Sequence, residues 1–141
     1  MPRSETPPRE ADVLYAADLH GSRALYGEAL ALARKLGVPA MILGGDLAPH
    51  GTVPEQRAFF REFLLPLLGE YRQEGGSADL FFIMGNDDWR ANLPVLLGAG
   101  LERFHHIHCA VRPLLEGVWV AGLASVSVTP FALKDWERWE E

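Results

Sequence analysis

An α/β fold with a mostly parallel sheet and crossover helices is what this sequence predicts, and three observations predict it. Apolar runs at Val13 to Ala17, Val38 to Leu43 and Leu80 to Met84 have the length of buried strands. Helical periodicity fills the intervals between them. Each run also stops abruptly at a polar loop bearing glycine and a carboxylate or amide: Asp18-Leu19-His20-Gly21, Gly44-Gly45-Asp46 and Gly85-Asn86-Asp87-Asp88. Strand, polar loop, helix, strand is the order a parallel sheet requires.

The chain has 141 residues, 48% hydrophobic and 23% charged, which fits one domain with a real core and excludes global disorder. Its 13 Lys+Arg against 19 Asp+Glu give a net charge of −6, which argues against an extended nucleic-acid surface. A phosphorylated small molecule stays open as a substrate, because a bound metal reverses the local sign of charge. One cysteine, Cys109, can form no internal disulfide. Met1 to Asp12 is polar and proline-bearing, unlike a signal peptide, and no apolar run nears the ~20 residues of a membrane span. A cytoplasmic protein is expected, without membrane association.

In order, residues 1–11 read as a flexible leader and 12–141 as the domain. After the first strand, Ser22 can cap a helix carrying Leu25, Ala29, Leu32 and Leu36 at helical spacing, which Gly37 can close. Pro54 to Leu68 reads as a second helix with a wide apolar face of Phe59, Phe60, Phe63, Leu64 and Leu67, ended or kinked by Pro66. Glu70 to Ala78 is a polar linker, and Leu93 to Leu97 a short helix. His106 to Val111 and Val118 to Leu123 are two more strands, joined as a hairpin through Pro113 to Gly117. Lys134 to Glu141 reads as the start of a helix on which Trp136 and Trp139 share a face.

In an open parallel sheet the strands' carboxyl ends share one edge, so the three polar loops can converge. Carboxylate and amide oxygens suit hard divalent ions, and imidazole suits borderline ones. Asp18 and His20 can turn toward one ion, Asp46 can bridge to a second, and Asn86 can bind that second ion without adding charge. Two ions ~3.5–4 Å apart clamp the attacking and leaving oxygens of a phosphoryl transfer. Taken singly, each of these acids also reads as a turn or cap residue.

The ordered set resembles the calcineurin-like metallophosphoesterases, whose signature runs D-x-H, G-D and G-N-H-[D/E]. The matching stretches are AADLHG at 16–21, LGGDL at 43–47 and MGNDDW at 84–89. The later TPFALKDWERWEE is similar to an intracellular subgroup of that family. The resemblance implies the first half of an αββα sandwich. It also implies hydrolysis of a phosphomonoester or phosphodiester by metal-bound hydroxide, with Asp18, His20, Asp46 and Asn86 as ligands of two divalent ions. Mixed oxygen and imidazole donors fit Mn, Fe or Zn better than Mg. Asp88 matches the acid that orients its neighbours, and Asp87 stands where many members have a histidine that acts on the transition state or leaving group.

Asp87 adds negative charge beside an anionic substrate unless it is protonated or bound to a cation. The family's later histidine and G-H-x-H motif have no match here, so the chain reads as an amino-terminal part of such an enzyme. It is therefore expected to be a poor catalyst that self-associates through an uncovered sheet edge. A non-catalytic metal- or phosphate-binding module is the alternative. Of the remaining histidines, His50 can face the site but reads more simply as a solvated loop residue. His106 and His108 read as polar positions on a partly exposed strand, Cys109 as a small buried residue, and Trp89 either as a wall of the site or as packing.

Overall fold

The computed structural model describes residues 11–131 and 135–139. Four strands, β1 (Val13–Ala16), β2 (Ala40–Leu43), β3 (Asp79–Phe82) and β4 (Phe104–His106), form one sheet in the order β1-β2-β3-β4, with every pair parallel. The α/β expectation holds. The strand expected from His106 to Val111 is instead two elements. Its start belongs to β4, the chain then turns through Cys109 at φ 50°, and the rest enters β5 (Ala110–Leu115). A left-handed residue cannot lie inside a strand, which is why the run breaks there.

Because the strand order never reverses, right-handed crossovers place the connecting helices on one face of the sheet. That face supplies Met41, Leu43, Leu80 and Phe82 to the main core. Helix α1 (Arg23–Leu36) begins at Ser22, whose side chain accepts from the Leu25 amide, and ends at Gly37 with φ 61°. Its buried residues are Tyr26, Leu30 and Ala33, whereas Leu25 and Leu32 of the expected stripe are exposed. Two apolar stripes overlap on this helix. The inward one is fixed by Tyr26, whose hydroxyl donates to the Leu47 carbonyl at 2.8 Å.

Helix α2 (Val53–Phe59) continues through a π-helical turn (Phe60–Leu64) into α3 (Leu65–Gln73). Pro66 therefore neither ends nor breaks the run. A proline ring collides with the carbonyl four residues back, and the wider π turn just ahead of Pro66 relieves that collision. The Leu65 amide accordingly reaches back to the Phe60 carbonyl. With the helix extended to Gln73, the linker shortens to residues 74–78, and Arg72 donates to the Gly76 and Ala78 carbonyls across it. The short helix α4 (Leu93–Leu97) forms as expected.

On the sheet's other face Ala40, Phe81 and Ile107 are covered by Leu114, Leu115 and Val120 of the hairpin formed by β5 and β6 (Val118–Gly122). The hairpin was expected, and Pro113 sits at its register shift, where a missing amide does least harm. The terminal helix was not found. Lys134, Glu140 and Glu141 lie outside the described residues, and β8 (Glu137–Arg138) pairs parallel with β7 (Val126–Ser127). Trp136, in the turn before that strand, is buried, and Trp139 after it is 78% exposed, so the two do not share a helix face. The expected leader lies outside the described residues except for Ala11. Among the described residues no helix is long and apolar enough to cross a membrane.

Candidate metal centre

The ends of β1, β2 and β3 lead into three loops that are tied together before any side chain is considered. Loop 1 donates to loop 2 through Asp18 N to Gly45 O (3.0 Å), His20 N to Asp46 O (2.8 Å) and Gly21 N to Leu47 O (3.0 Å). Gly21 has no room for a side chain, because a Cβ there would lie 2.4 Å from Pro49. Loop 3 meets loop 2 as closely, since a Cβ on Gly85 would fall 2.1 Å from Asp46 Oδ1. Asp18, His20 and Asp46 all adopt left-handed backbone, with φ of 54°, 44° and 48°. Non-glycine residues held there cost of order 1–3 kcal/mol each, a strain typical of functional loops.

The result is a cluster. One ligand atom from each of Asp18, His20 and Asp46 lies within 4.8 Å of the others, a group that could hold a metal ion. His20 Nε2 stands 3.6 Å from Asp46 Oδ2. Asn86 joins Asp18 and Asp46 in lining both a cleft of about 700 Å³ and a smaller adjoining hollow of about 150 Å³. Burial raises the Asp46 carboxyl above the usual range, with Asp18 and Asp87 adding to it, against the Asp87 amide and His20. Two carboxylates and an imidazole so placed are a suitable donor set for a borderline divalent cation, which would offset this crowding.

Asp87 and Asp88, adjacent in sequence, do different things. Asp88 is fully buried and does not border the cleft. Its carboxylate accepts from the amides of Leu47, Ala48 and Gly85, each at 2.9 Å, so it clasps loop 2 to loop 3. It is a positioning residue. Asp87 lines the cleft, and its carboxylate lies between two imidazoles, 3.7 Å from His20 Nδ1 and 3.0 Å from His50 Nδ1. The negative charge that looked troublesome beside a substrate is thus flanked by groups able to carry positive charge. Its backbone amide donates to Asp46 Oδ1 at 2.9 Å.

His50 is exposed but not a free solvent residue, because it borders the cleft and bonds Asp87. Cys109 is exposed rather than buried, since it sits at the turn that splits β4 from β5. His106 packs its ring against Phe82, tilted by 34° with centroids 5.1 Å apart, and His108 accepts from the Ala124 amide at 2.9 Å. Neither belongs to the metal cluster. Trp89 packs between loops, its indole N–H donating to the Gly51 carbonyl at 2.8 Å.

Sequence reasoning missed Gln56. This fully buried side chain donates to the carbonyls of Pro49 (3.1 Å) and Asp87 (2.7 Å) and accepts from the Trp89 amide (2.9 Å). The signal was present, because Gln56 falls three and four residues before Phe59 and Phe60, on the helix's apolar stripe. A polar side chain on such a stripe must be hydrogen-bonded. Replacing Gln56 with Ala removes the partner of the buried Asp87 carbonyl and of the part-buried Pro49 carbonyl and Trp89 amide, so chemical denaturation should show a loss of about 1–3 kcal/mol.

No family model matches the chain, and none of the curated proteins matches it. Among solved structures it is similar to TT1561 of Thermus thermophilus, with a TM-score of 0.64 and 19% identity. That likeness shows the fold. The match covers 90% of this chain and 55% of the other, so this chain spans about half the length of TT1561.

Proposed function

We propose that the protein is a metal-dependent phosphoesterase acting on a phosphomonoester or phosphodiester. The observation that carries this reading is the convergence of Asp18, His20 and Asp46 within 4.8 Å at the carboxyl edge of a parallel sheet. Asp18, His20 and Asp46 would hold one divalent ion, and Asp46 with Asn86 would face a second, with Mn, Fe or Zn favoured by the imidazole. Such ions, when bound, supply Lewis acidity: they lower the pKa of water and offset phosphate charge. The chain's own residues do the rest. Asp88 holds loops 2 and 3 in register, Asp46 anchors the Asp87 amide, and the about 700 Å³ cleft has room for a small phosphorylated molecule.

One observation favours the alternative of a binding module without turnover: among the described residues Asp18, His20 and Asp46 are the one His/Cys/Asp/Glu group placed to hold an ion. The same assay separates the two. With Mn, hydrolysis of bis(4-nitrophenyl) phosphate and of 4-nitrophenyl phosphate should be slow but lost in Asp46→Asn. Metal binding with no turnover above background, on either ester, supports the module. Self-association is also proposed, because Val111, Trp119 and Leu123 expose apolar surface beside the hairpin at 66%, 64% and 69%. Sedimentation velocity across a concentration series should show reversible oligomers.

A further inference from the structure

We propose that His50, oriented by Asp87, is the side chain that acts on the leaving-group oxygen of the phosphoester; this rests on the phosphoesterase reading. Three features place it there. First, its position is built rather than incidental. Pro49 before it is fixed by Gln56, and Gly51 after it is fixed by the Trp89 indole. Gln56 also bonds the Asp87 carbonyl and the Trp89 amide. The backbone carrying the imidazole and the backbone carrying the carboxylate are therefore parts of one hydrogen-bonded unit.

Second, the pair has a defined orientation. His50 Nδ1 lies 3.0 and 3.2 Å from the two Asp87 oxygens, so that contact sets the ring's orientation and leaves Nε2 as its outward nitrogen. Nε2 makes no hydrogen bond among the described residues. Asp87 is buried while the His50 side chain is 79% exposed, so the carboxylate forms the fixed end and the ring the end that meets a ligand. A buried carboxylate behind an imidazole fixes the direction in which the ring points.

Third, the geometry separates His50 from the metal cluster. It lines the same cleft as Asp18, His20 and Asp46 but is not a member of their group. Among the described residues, Asp87 from loop 3 bonds it, and His20 from loop 1 lies against the same carboxylate. The step balances: hydroxide forms a new P–O bond, the P–O bond to the leaving group breaks, and its electron pair takes the proton from Nε2. Water returns that proton to the ring afterwards.

His50→Ala, with its exposed side chain, should fold. Against an alkyl phosphodiester, which needs a proton on its leaving oxygen, His50→Ala and Asp87→Asn should lower kcat about 10²-fold. Against the 4-nitrophenyl ester, whose leaving group needs none, the loss should be several-fold smaller. A second readout needs no turnover. Inorganic phosphate titrated into zinc-loaded protein should shift the ¹⁵N resonance of His50 Nε2, and His50→Ala should weaken that binding while leaving zinc affinity unchanged. Equal losses on both esters, or unchanged phosphate affinity in His50→Ala, overturn the assignment of His50 while the phosphoesterase reading stands. A wild-type protein that binds zinc but neither phosphate nor ester removes both.

Discussion

Replacing Asp46 with Asn should abolish the rise in Tm that Mn or Zn gives the wild-type protein and lower metal affinity by about 100-fold or more. Losing even a hydrogen-bond partner of a metal ligand typically costs ~10–100-fold, and Asp46 is the residue facing both proposed ion positions. The substitution is well suited to isolate charge. Asn can still accept the Asp87 amide through Oδ1, so the 2.9 Å contact joining loops 2 and 3 survives. It also relieves the crowding with Asp18 and Asp87 that helps to raise the Asp46 carboxyl, so the metal-free variant should be no less stable than wild type. Differential scanning fluorimetry with and without metal, on both proteins, reads the two effects separately. An unchanged metal response in the variant would count against Asp46 as a ligand.

Removing the Asp88 carboxylate should be the most destabilising single change near the site. Asp88→Ala leaves the buried amides of Leu47 and Ala48 and the part-buried amide of Gly85 without their acceptor. Unsatisfied buried donors cost about 1–3 kcal/mol each, so a loss of roughly 3–6 kcal/mol is expected in urea denaturation, a large share of a small domain's stability. Burial pushes the Asp88 carboxyl up to about 6, outweighing its three amide donors, and Asp46 adds to the rise. A folded pKa above the unfolded value gives stability that is full below about pH 4 and lost as pH rises through about 6. Asp88→Asn, which keeps one acceptor oxygen, should be less damaging than Ala and should remove this component of the pH dependence. Urea midpoints at pH 4 and pH 7 for the two variants and wild type check the sign.

Much of this arrangement was legible because backbone chemistry is local. Val13, Val38 and Leu80 begin runs whose ends had to leave the sheet on one side, so Asp18, Asp46 and Asn86 were bound to meet if the strands were parallel. Ser22 and Gly37 likewise announced the ends of α1. What failed depended on tertiary choice. Tyr26 was preferred to Leu25 as the buried face of α1 because a hydroxyl partner waited at Leu47, a fact 21 residues away. Pro66 looked like a helix end, and no local rule announces that a π turn will absorb it. The strand at Glu137–Arg138 exists through pairing with Val126–Ser127, across a separation that periodicity does not reach. His50 read as a solvated loop residue because its partner, Asp87, lies 37 residues on. Gln56 and Asp88 hold the loops through backbone groups, so the sequence could mark the two side chains but not the carbonyls and amides they bind.

The strand-end loops are expected to bind a divalent cation between Asp18, His20 and Asp46. Crystals soaked in Mn and measured near the manganese absorption edge test it directly. An anomalous peak is expected within coordination distance of Asp18, His20 Nε2 and Asp46, about 2.0–2.3 Å from each ligand atom if the ion follows ordinary N and O donor geometry. Loops in the arrangement described above, with no anomalous density between those three side chains at saturating Mn, would contradict it.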